Sequence, residues 1–138
     1  MLVGGNDQRI AALATADGAE RWRVETNGTA ATPAVADGTV YVGSDANAGR
    51  CYALDVTDGT ERWQVDVGAA VSTPASITAE TIYFGQTDGT VTALRASDGN
   101  ERWRFTTDDA VRSAPTVADG AVYVGSDDGR LYALGATD

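Results

Sequence analysis

The chain contains no lysine, no histidine and a single cysteine, Cys51. One cysteine can form neither an intrachain disulfide nor a cysteine-based zinc site. Without histidine, general acid–base chemistry would fall to carboxylates. No apolar run approaches the roughly 18 residues that a membrane helix needs, and the first residues lack the basic and apolar regions of a signal peptide. The sequence therefore predicts neither a membrane span nor an export signal.

Acidic residues dominate the charge of the chain. Its 20 acids, 15 of them aspartates, face 10 arginines and give a net charge of −10. A surface this negative repels phosphate backbones, which argues against nucleic-acid binding. A dispersed acidic coat without lysine is expected of a protein from a high-salt organism, although a GC-rich genome also replaces lysine by arginine. We favour salt adaptation, because base composition does not explain the net charge.

The sequence repeats with a period near 40 residues. Trp22, Trp63 and Trp103 are 41 and 40 residues apart, and the three prolines are 41 residues apart. A period near 40 with several strands per repeat is typical of a β-propeller. We expect one domain over residues 1–138. Its expected parts are a partial unit at 1–29, units at about 30–70 and 71–110, and an incomplete unit at 111–138.

Each unit is predicted to contain four short strands, A to D, separated by turn residues. In the third unit these are residues 72–77, 81–85, 90–94 and 101–105. Asp88-Gly89 predicts a type I′ hairpin between strands B and C. Proline is tolerated at sheet edges, so Pro33, Pro74 and Pro115 place strand A at the hub. The prediction is an all-β propeller of about four blades, each a four-stranded antiparallel sheet, forming an arc or half of a larger ring.

Residues 53–63, ALDVTDGTERW, resemble the tryptophan-docking motif of the pyrroloquinoline-quinone (PQQ)-like repeat family, Ala-x-Asp-x-x-Thr-Gly-x-x-x-Trp. The match returns at 12–22 and 93–103 and starts again at Ala133. Aspartate replaces the motif's threonine before glycine, and Ala14 and Arg95 replace its first aspartate. The turn tolerates aspartate at that position. The family includes quinoprotein alcohol dehydrogenase-like and outer-membrane assembly lipoprotein-like proteins.

The resemblance implies that the indoles pack across the seams between blades, each with its N–H on a backbone acceptor. A buried indole offers a large apolar area and one donor that must be satisfied. The alternative is an exposed aromatic platform for ligand stacking, but strict recurrence suits structure better than a site. The residues expected to dock blade to blade are Trp22, Trp63, Trp103, Gly18, Gly59, Gly99, Ala12, Ala53 and Ala93.

The resemblance also raises the question of dehydrogenase chemistry. The family's alcohol dehydrogenases hold PQQ and calcium over the hub with a vicinal cysteine pair, a general-base aspartate, and glutamate and asparagine metal ligands. This chain has no such pair, and Cys51 aligns with core positions of the other units. Residues 45–49, DANAG, resemble half of a calcium loop, but Val56 stands where the loop needs glutamate, and a longer hairpin explains the segment. We expect no catalytic residue, no metal site, and neither PQQ nor calcium.

A partner face is expected where the D–A and B–C loops meet, because alternating strands bring these loops to one side. Arg112 aligns with Ala30 and Val71 and so breaks the repeat near the hub. The candidate partner residues are Arg112, Asp108 and Asp109. The alternative is a solvated Arg112 that pairs with one of the two aspartates.

The first unit starts at strand B and the last stops after strand C, which leaves two unpaired edges. Since family propellers have seven or eight blades, we expect a longer chain or two copies that form a ring of about eight blades. The expected function is a non-catalytic scaffold that binds another protein or a second copy, outside the cytoplasm as in most of the family. Two alternatives remain: a fragment of a PQQ-dependent dehydrogenase whose catalytic residues lie elsewhere, and a purely structural or designed repeat.

Overall fold

The computed structural model describes residues 2–4, 9–26, 33–45, 49–71, 73–78, 80–111, 114–118 and 120–135. Within these ranges the chain forms strands and no helix. The strands are β1 (Leu2–Gly4), β2 (Arg9–Leu13), β3 (Glu20–Glu25), β4 (Ala34–Ala36), β5 (Thr39–Ser44), β6 (Arg50–Asp55), β7 (Glu61–Asp66), β8 (Ser76–Thr78), β9 (Thr81–Gly85), β10 (Thr90–Arg95), β11 (Glu101–Thr106), β12 (Thr116–Ala118), β13 (Ala121–Gly125) and β14 (Leu131–Gly135).

These strands form four antiparallel sheets, which we call blades 1 to 4. Blade 1 is β1-β2-β3, blade 2 is β4-β5-β6-β7, blade 3 is β8-β9-β10-β11 and blade 4 is β12-β13-β14. Each strand pairs with its neighbour in sequence, as in a meander. Strands β4, β8 and β12 contact one another from blade to blade, so they line the hub. The all-β propeller of about four blades that the repeat predicts is confirmed.

The prolines do not lie inside strand A, contrary to the sequence prediction. Strands β4, β8 and β12 begin one or two residues after Pro33, Pro74 and Pro115. A proline has no N–H to donate to the ladder, so the regular pairing starts only beyond it. Before the proline, the hub segment is held by isolated bridges, Val71 to Gln86 and Val111 to Ser126.

The prediction of a type I′ turn at Asp88-Gly89 is also wrong. Gly89 has a φ of 91°, whereas Asp88 is not among the described residues with positive φ. The Gly89 N–H donates to the Gln86 carbonyl at 3.1 Å, so a type I turn ends in a left-handed glycine. Three loop residues, rather than two, separate the paired Gln86 and Thr90.

The apolar core lies between the blades, in three clusters. Each cluster joins one face of a blade to the opposite face of the next. Between blades 2 and 3, for example, Tyr41, Cys51 and Ala53 meet Ile82, Phe84 and Leu94. The other two clusters join blade 1 to blade 2 and blade 3 to blade 4. None of the described residues forms a helix that could cross a membrane.

Candidate functional site

The indoles of blades 1 and 2 lie across the seams. The Trp22 N–H, from β3, donates to the carbonyl of Val56 in blade 2 at 3.0 Å. The Trp63 N–H, from β7, donates to the carbonyl of Ala96 in blade 3 at 2.9 Å. Each ring lies on a glycine of the next blade, because a β-carbon on Gly59 would come within 2.7 Å of the Trp22 ring. These contacts are the ones that the docking motif implies.

Trp103, on β11, lies at the seam between blades 3 and 4. Its ring packs against Tyr83 with centroids 5.8 Å apart, and it borders the cluster between blades 3 and 4. Among the described residues its N–H has no acceptor. By the repeat, the matching carbonyl belongs to Ala136, which lies outside the described residues.

The three alanines of the motif each pair with an indole across the sheet. Ala12, Ala53 and Ala93 stand opposite Trp22, Trp63 and Trp103 in the strand register. All three alanines are buried. A small side chain beside each indole leaves room for the ring to lie against the sheet. Gly18, the first glycine of the motif, meets nothing within 4 Å at its β-carbon position, so it takes no part in a described seam.

The D–A and B–C loops are joined on one side of the molecule, as the strand directions predict. The Val67 N–H donates to the Gly49 carbonyl at 3.0 Å, and the Thr107 N–H donates to the Gly89 carbonyl at 2.8 Å. A β-carbon on Gly49 would lie 1.8 Å from the Ala69 carbonyl oxygen. Glycine is therefore required there by a close backbone approach. We call this side the loop face.

Two glycines that the sequence analysis did not single out complete the seams. A β-carbon on Gly43 would lie 2.4 Å from the Val71 side chain, and one on Gly85 would lie 2.3 Å from that of Val111. Each valine comes from the D–A segment that passes over the following blade's hairpin. The available signal was the Val-Tyr-Val-Gly phrase itself, whose glycine recurs in every unit.

Each seam also carries a polar link below the loop face, and each blade builds it differently. In blade 2 the Tyr52 hydroxyl donates to the carbonyl of Thr26 at 2.7 Å. In blade 3, threonine replaces this tyrosine, and Gln86 donates to the carbonyls of Val67 and Ala69, both at 2.9 Å. In blade 4 the Ser126 hydroxyl hydrogen-bonds with Thr107 across 3.0 Å.

The candidate partner residues Asp108 and Asp109 are exposed on the loop face. Asp108, 80% exposed, lies 3.4 Å from the guanidinium of Arg130, which is 66% exposed, so solvent weakens this ion pair. The Asp109 carboxylate accepts the Ala110 N–H at 2.8 Å. Arg112 lies outside the described residues, and its predicted pairing with these aspartates stays a prediction.

A second polar cluster lies beside them. The Tyr132 hydroxyl donates to the Asp128 carboxylate. This bond lowers the pKa of Asp128 and raises the pKa of Tyr132, because it stabilises the ionised acid and the protonated phenol. Asp128 also accepts the Asp108 N–H at 3.2 Å. The carboxylates of the loop face thus order its loops.

The sequence raised two other positions for chemistry, Cys51 and the calcium-like segment at 45–49. Cys51 is 2% exposed, and burial raises the pKa of its thiol to about 12. In the calcium-like segment, Gly49 is buried under the Ala69 backbone, while residues 46–48 lie outside the described residues. Within the described ranges, no three acidic, cysteine or histidine residues are arranged to hold a metal ion.

A cavity of about 230 Å³ opens at the opposite end of the seam between blades 2 and 3. Its lining includes Tyr41, Arg62 and Trp63 from blade 2 and Glu80 from blade 3. Arg62 is already bonded, to Asp55 at 2.9 Å and to Thr39 at 2.8 Å. The guanidinium of Arg62 therefore bonds to residues of its own blade.

The comparisons with known proteins agree with this architecture. The crystal structure of BamB from Moraxella catarrhalis superposes with a TM-score of 0.84 and 22% identity, over 99% of this chain and 42% of that chain. The computationally designed Ika4 protein gives a TM-score of 0.87, 16% identity, and 99% and 84% coverage. Sqt1 from Saccharomyces cerevisiae gives 0.87, 16%, and 98% and 41%. The chain thus spans less than half of BamB and of Sqt1.

Curated protein sequences give no significant match. The sequence model of the family described as outer membrane protein assembly factor BamB matches residues 1–104 and 47–138. These two matches together cover the whole chain, and the docking motif recurs within both. The chain therefore belongs to this BamB-like family of PQQ-repeat β-propellers.

Proposed function

We propose that the chain is a non-catalytic scaffold whose loop face binds another protein. The observation that carries this proposal is the family match along the whole chain, because the family is described as an assembly factor. The proposal extends that description from the family to this chain, which spans less than half of the length of BamB. On the same basis we propose that it works outside the cytoplasm.

The way the chain uses its aromatic and polar groups supports a scaffold. The indole N–H groups of Trp22 and Trp63 are bonded within the seams, and Gln86 is fully buried between blades 2 and 3. These groups stabilise the packing of blade on blade, and such a rigid core holds exposed loops in fixed positions. We therefore propose that recognition uses the loops of the loop face.

The chemistry of the loop face selects the class of partner. Its hairpins and linkers carry exposed carboxylates, and Arg130 is the described arginine that pairs with one of them. Charge complementarity favours a partner with a basic or amide-rich surface. The acidic residues of this face are Asp45, Asp88, Asp108, Asp109, Asp127 and Asp128. The dispersed acidic coat elsewhere is proposed to serve adaptation to high salt.

Cross-linking to partner proteins from a high-salt organism, compared between a loop-face variant and a control variant at the opposite end, tests the proposal. Asp108→Asn with Asp109→Asn removes two charges from the loop face but keeps the acceptor oxygens. The control, Asp37→Asn, removes charge from the A–B turn at the opposite end of blade 2, where the positive φ of 49° suits asparagine equally. We expect the double variant alone to lose a specific cross-linked product, and equal cross-linking by all proteins would contradict the proposed face.

A fragment of a PQQ-dependent dehydrogenase is the competing function, and it predicts a different result. Titration with PQQ and calcium, followed by tryptophan fluorescence and by dye reduction, separates the two. A scaffold gives no saturable change and no dye reduction. Saturable binding at a one-to-one ratio would favour the dehydrogenase interpretation.

A further inference from the structure

The cavity between blades 2 and 3 has aromatic side chains in its wall. Tyr41 and Trp63 line it, and their ring centroids are 6.1 Å apart, with the ring planes tilted by 41°. Tyr41 is 6% exposed, and burial raises the pKa of its phenol, so the phenol stays protonated at neutral pH. The Trp63 N–H is already bonded to the Ala96 carbonyl. The indole therefore contributes its ring to the cavity.

Two carboxylates line the same cavity, one from each blade. Asp37 lies in the turn between β4 and β5, and Glu80 lies in the turn between β8 and β9. Both side chains are exposed, and neither forms an ion pair with another described residue. Backbone hydrogen bonds tether both turns, because the Gly38 carbonyl accepts the Val56 N–H at 3.0 Å and the Glu80 carbonyl accepts the Ala96 N–H at 2.7 Å.

The positive charge of Arg62 does not balance these carboxylates. The Arg62 guanidinium pairs with Asp55 at 2.9 Å and donates to the Thr39 hydroxyl at 2.8 Å. Asp37, Glu80 and Asp55 together carry three negative charges against the single positive charge of Arg62. The surroundings of the cavity therefore keep a net negative charge, and their field attracts a cation.

The seam between blades 3 and 4 has the aromatic rings without the acids. Tyr83 and Trp103 repeat the aromatic pair, with ring centroids 5.8 Å apart. Ala79 and Gly120 stand at the positions of the two acids in the repeat. Packing of one blade on the next thus does not require carboxylates at these two turns.

The seam between blades 1 and 2 lacks the combination as well. In the strand register, Leu2 stands at the position of Tyr41. Gly38 stands at the position of Glu80. Two aromatic rings and two carboxylates therefore meet only at the seam between blades 2 and 3, among the seams that the structure describes. A combination that the repeat does not impose points to a role beyond packing.

We propose that this cavity binds a small, free alkylguanidinium ion. A guanidinium group stacks on aromatic rings and forms hydrogen-bonded pairs with carboxylates, and these are the two kinds of group that the cavity presents. At about 230 Å³, the cavity is smaller than the roughly 300–1,000 Å³ of sites for drug-sized ligands, so its size suits one small ion. The site goes beyond the proposed scaffold function, because it lies at the opposite end of the seam from the loop face.

Nuclear magnetic resonance titration of the 138-residue chain with three matched probes tests the proposal. Propylguanidinium is the expected ligand, propylurea has nearly the same shape without the charge, and propylammonium has the charge without the planar group. We expect propylguanidinium to shift the indole N–H signal of Trp63 saturably, with a dissociation constant on the order of 1 mM. The signals of Trp22 and Trp103 should stay in place. Propylammonium should bind more weakly, and propylurea should give no saturable shift.

Charge-removing variants locate the site. Glu80→Gln keeps the size of the side chain and should raise the dissociation constant about two- to fivefold, the range for an exposed ion pair. Asp37→Asn should do the same from the other blade. Asp58→Asn is the matched control, because Asp58 lies at the same end of blade 2 but does not line the cavity. Its asparagine keeps the oxygen that accepts the Thr60 N–H at 2.9 Å, so the affinity should not change.

Several results would overturn the proposal. These are no saturable shift with propylguanidinium, equal binding of propylurea, equal shifts of all three indole signals, and an affinity that Glu80→Gln and Asp37→Asn leave unchanged. Loss of a cross-linked product in Asp37→Asn would also overturn it, because the guanidinium would then belong to a protein. A failed titration leaves the cross-linking through Asp108 and Asp109 unaffected, so the scaffold function is tested separately.

Discussion

The indole ring of Trp63 lies directly over Gly99 of the next blade, where a β-carbon would come within 2.6 Å of the ring carbon Cε3. Gly99 also has a φ of 77°, a left-handed conformation that strains other residues. Two separate requirements thus fall on one glycine. Gly18 has nearly the same φ, 74°, but its β-carbon position is empty.

This pair of glycines separates backbone strain from seam packing. Gly18→Ala should lower the free energy of unfolding by about 1–2 kcal/mol, the cost of a left-handed alanine. Gly99→Ala should lower the free energy of unfolding by about 1–3 kcal/mol more than Gly18→Ala does, because the new methyl group overpacks the indole. Urea denaturation of both variants measures the difference.

Removing the ring provides the control for that comparison. In a Trp63→Ala background, which itself costs about 3–5 kcal/mol, the Gly99→Ala change should cost only its backbone strain. An equal loss for Gly18→Ala and Gly99→Ala in the parent protein would mean that the indole does not clamp the seam.

Gln86 and Thr92 form the buried polar link of blade 3. The Thr92 hydroxyl donates to the Gln86 side-chain oxygen at 2.5 Å, while the Gln86 amide donates to the carbonyls of Val67 and Ala69. Gln86→Leu should destabilise the chain by about 1–3 kcal/mol for each carbonyl left unpaired. Thr92→Val should cost about 1–3 kcal/mol, because it leaves the amide oxygen buried without a donor.

The two losses should not add. In a Gln86→Leu background, Thr92→Val removes no hydrogen bond to residue 86, because the amide oxygen is already gone. A double-mutant cycle should therefore give a coupling free energy of about 0.5–3 kcal/mol. Thr92→Ser keeps the hydroxyl and should lose less than Thr92→Val. Strict additivity in denaturation experiments would rule out a direct link between the two side chains.

The sequence predicted the repeat, the all-β propeller and most strand positions, because each depends on local alternation and turn residues that recur in every unit. The predicted start of strand A was wrong. Regular pairing begins only after Pro74, which has no N–H to donate, and the segment before it is held by the isolated bridge at Val71. The polar link of blade 3 was detectable: Gln86 replaces a serine and Thr92 replaces a tyrosine within the same unit. The role of these two replacements could not be predicted from one unit, because the carbonyls that Gln86 binds belong to the linker from the neighbouring blade.

The seam contacts of Trp22 and Trp63 agree with what the motif implies, whereas Gly18 meets no neighbouring blade. The glycines under Val71 and Val111 lie outside the motif. Gly43 and Gly85 have ordinary strand positions in the sequence. Their need for a missing β-carbon arises from the linker that leaves their own blade for the next one and passes over them. The glycine recurs in each unit, but the sequence alone does not show which segment approaches it.

Asp55 should make the chain sensitive to acid. Hydrogen bonds from the Thr57 hydroxyl, from Arg62 and from the Thr57 N–H hold the pKa of Asp55 well below its usual range. The stabilisation is fully present above the unfolded-state pKa of about 3.9 and is lost as the pH falls toward the lower folded-state pKa. Asp55→Asn should therefore lower the melting temperature at neutral pH, and the gap to the parent protein should narrow below about pH 4.

Thr57→Val is the control for this pH dependence. It removes the largest cause of the pKa shift while leaving the carboxylate and Arg62 in place. Its gap to the parent protein should also narrow in acid, but should be smaller than that of Asp55→Asn. If the difference in melting temperature between each variant and the parent protein does not change with pH, these hydrogen bonds do not stabilise the ionised Asp55.

Cys51 should report on the opening of the seam between blades 2 and 3. The thiol is 2% exposed within that cluster, and burial raises its pKa to about 12, so at pH 8 it is both protonated and out of reach. A disulfide reagent should therefore react at the rate at which the seam opens and, in urea, at the rate of a free thiol with a pKa of about 8.5. Gly99→Ala should accelerate the native reaction, because it loosens the same seam, whereas Gly18→Ala should not. Rapid labelling of the native parent protein would mean that blades 2 and 3 do not stay packed, and the docking role of Trp63 would have to be abandoned.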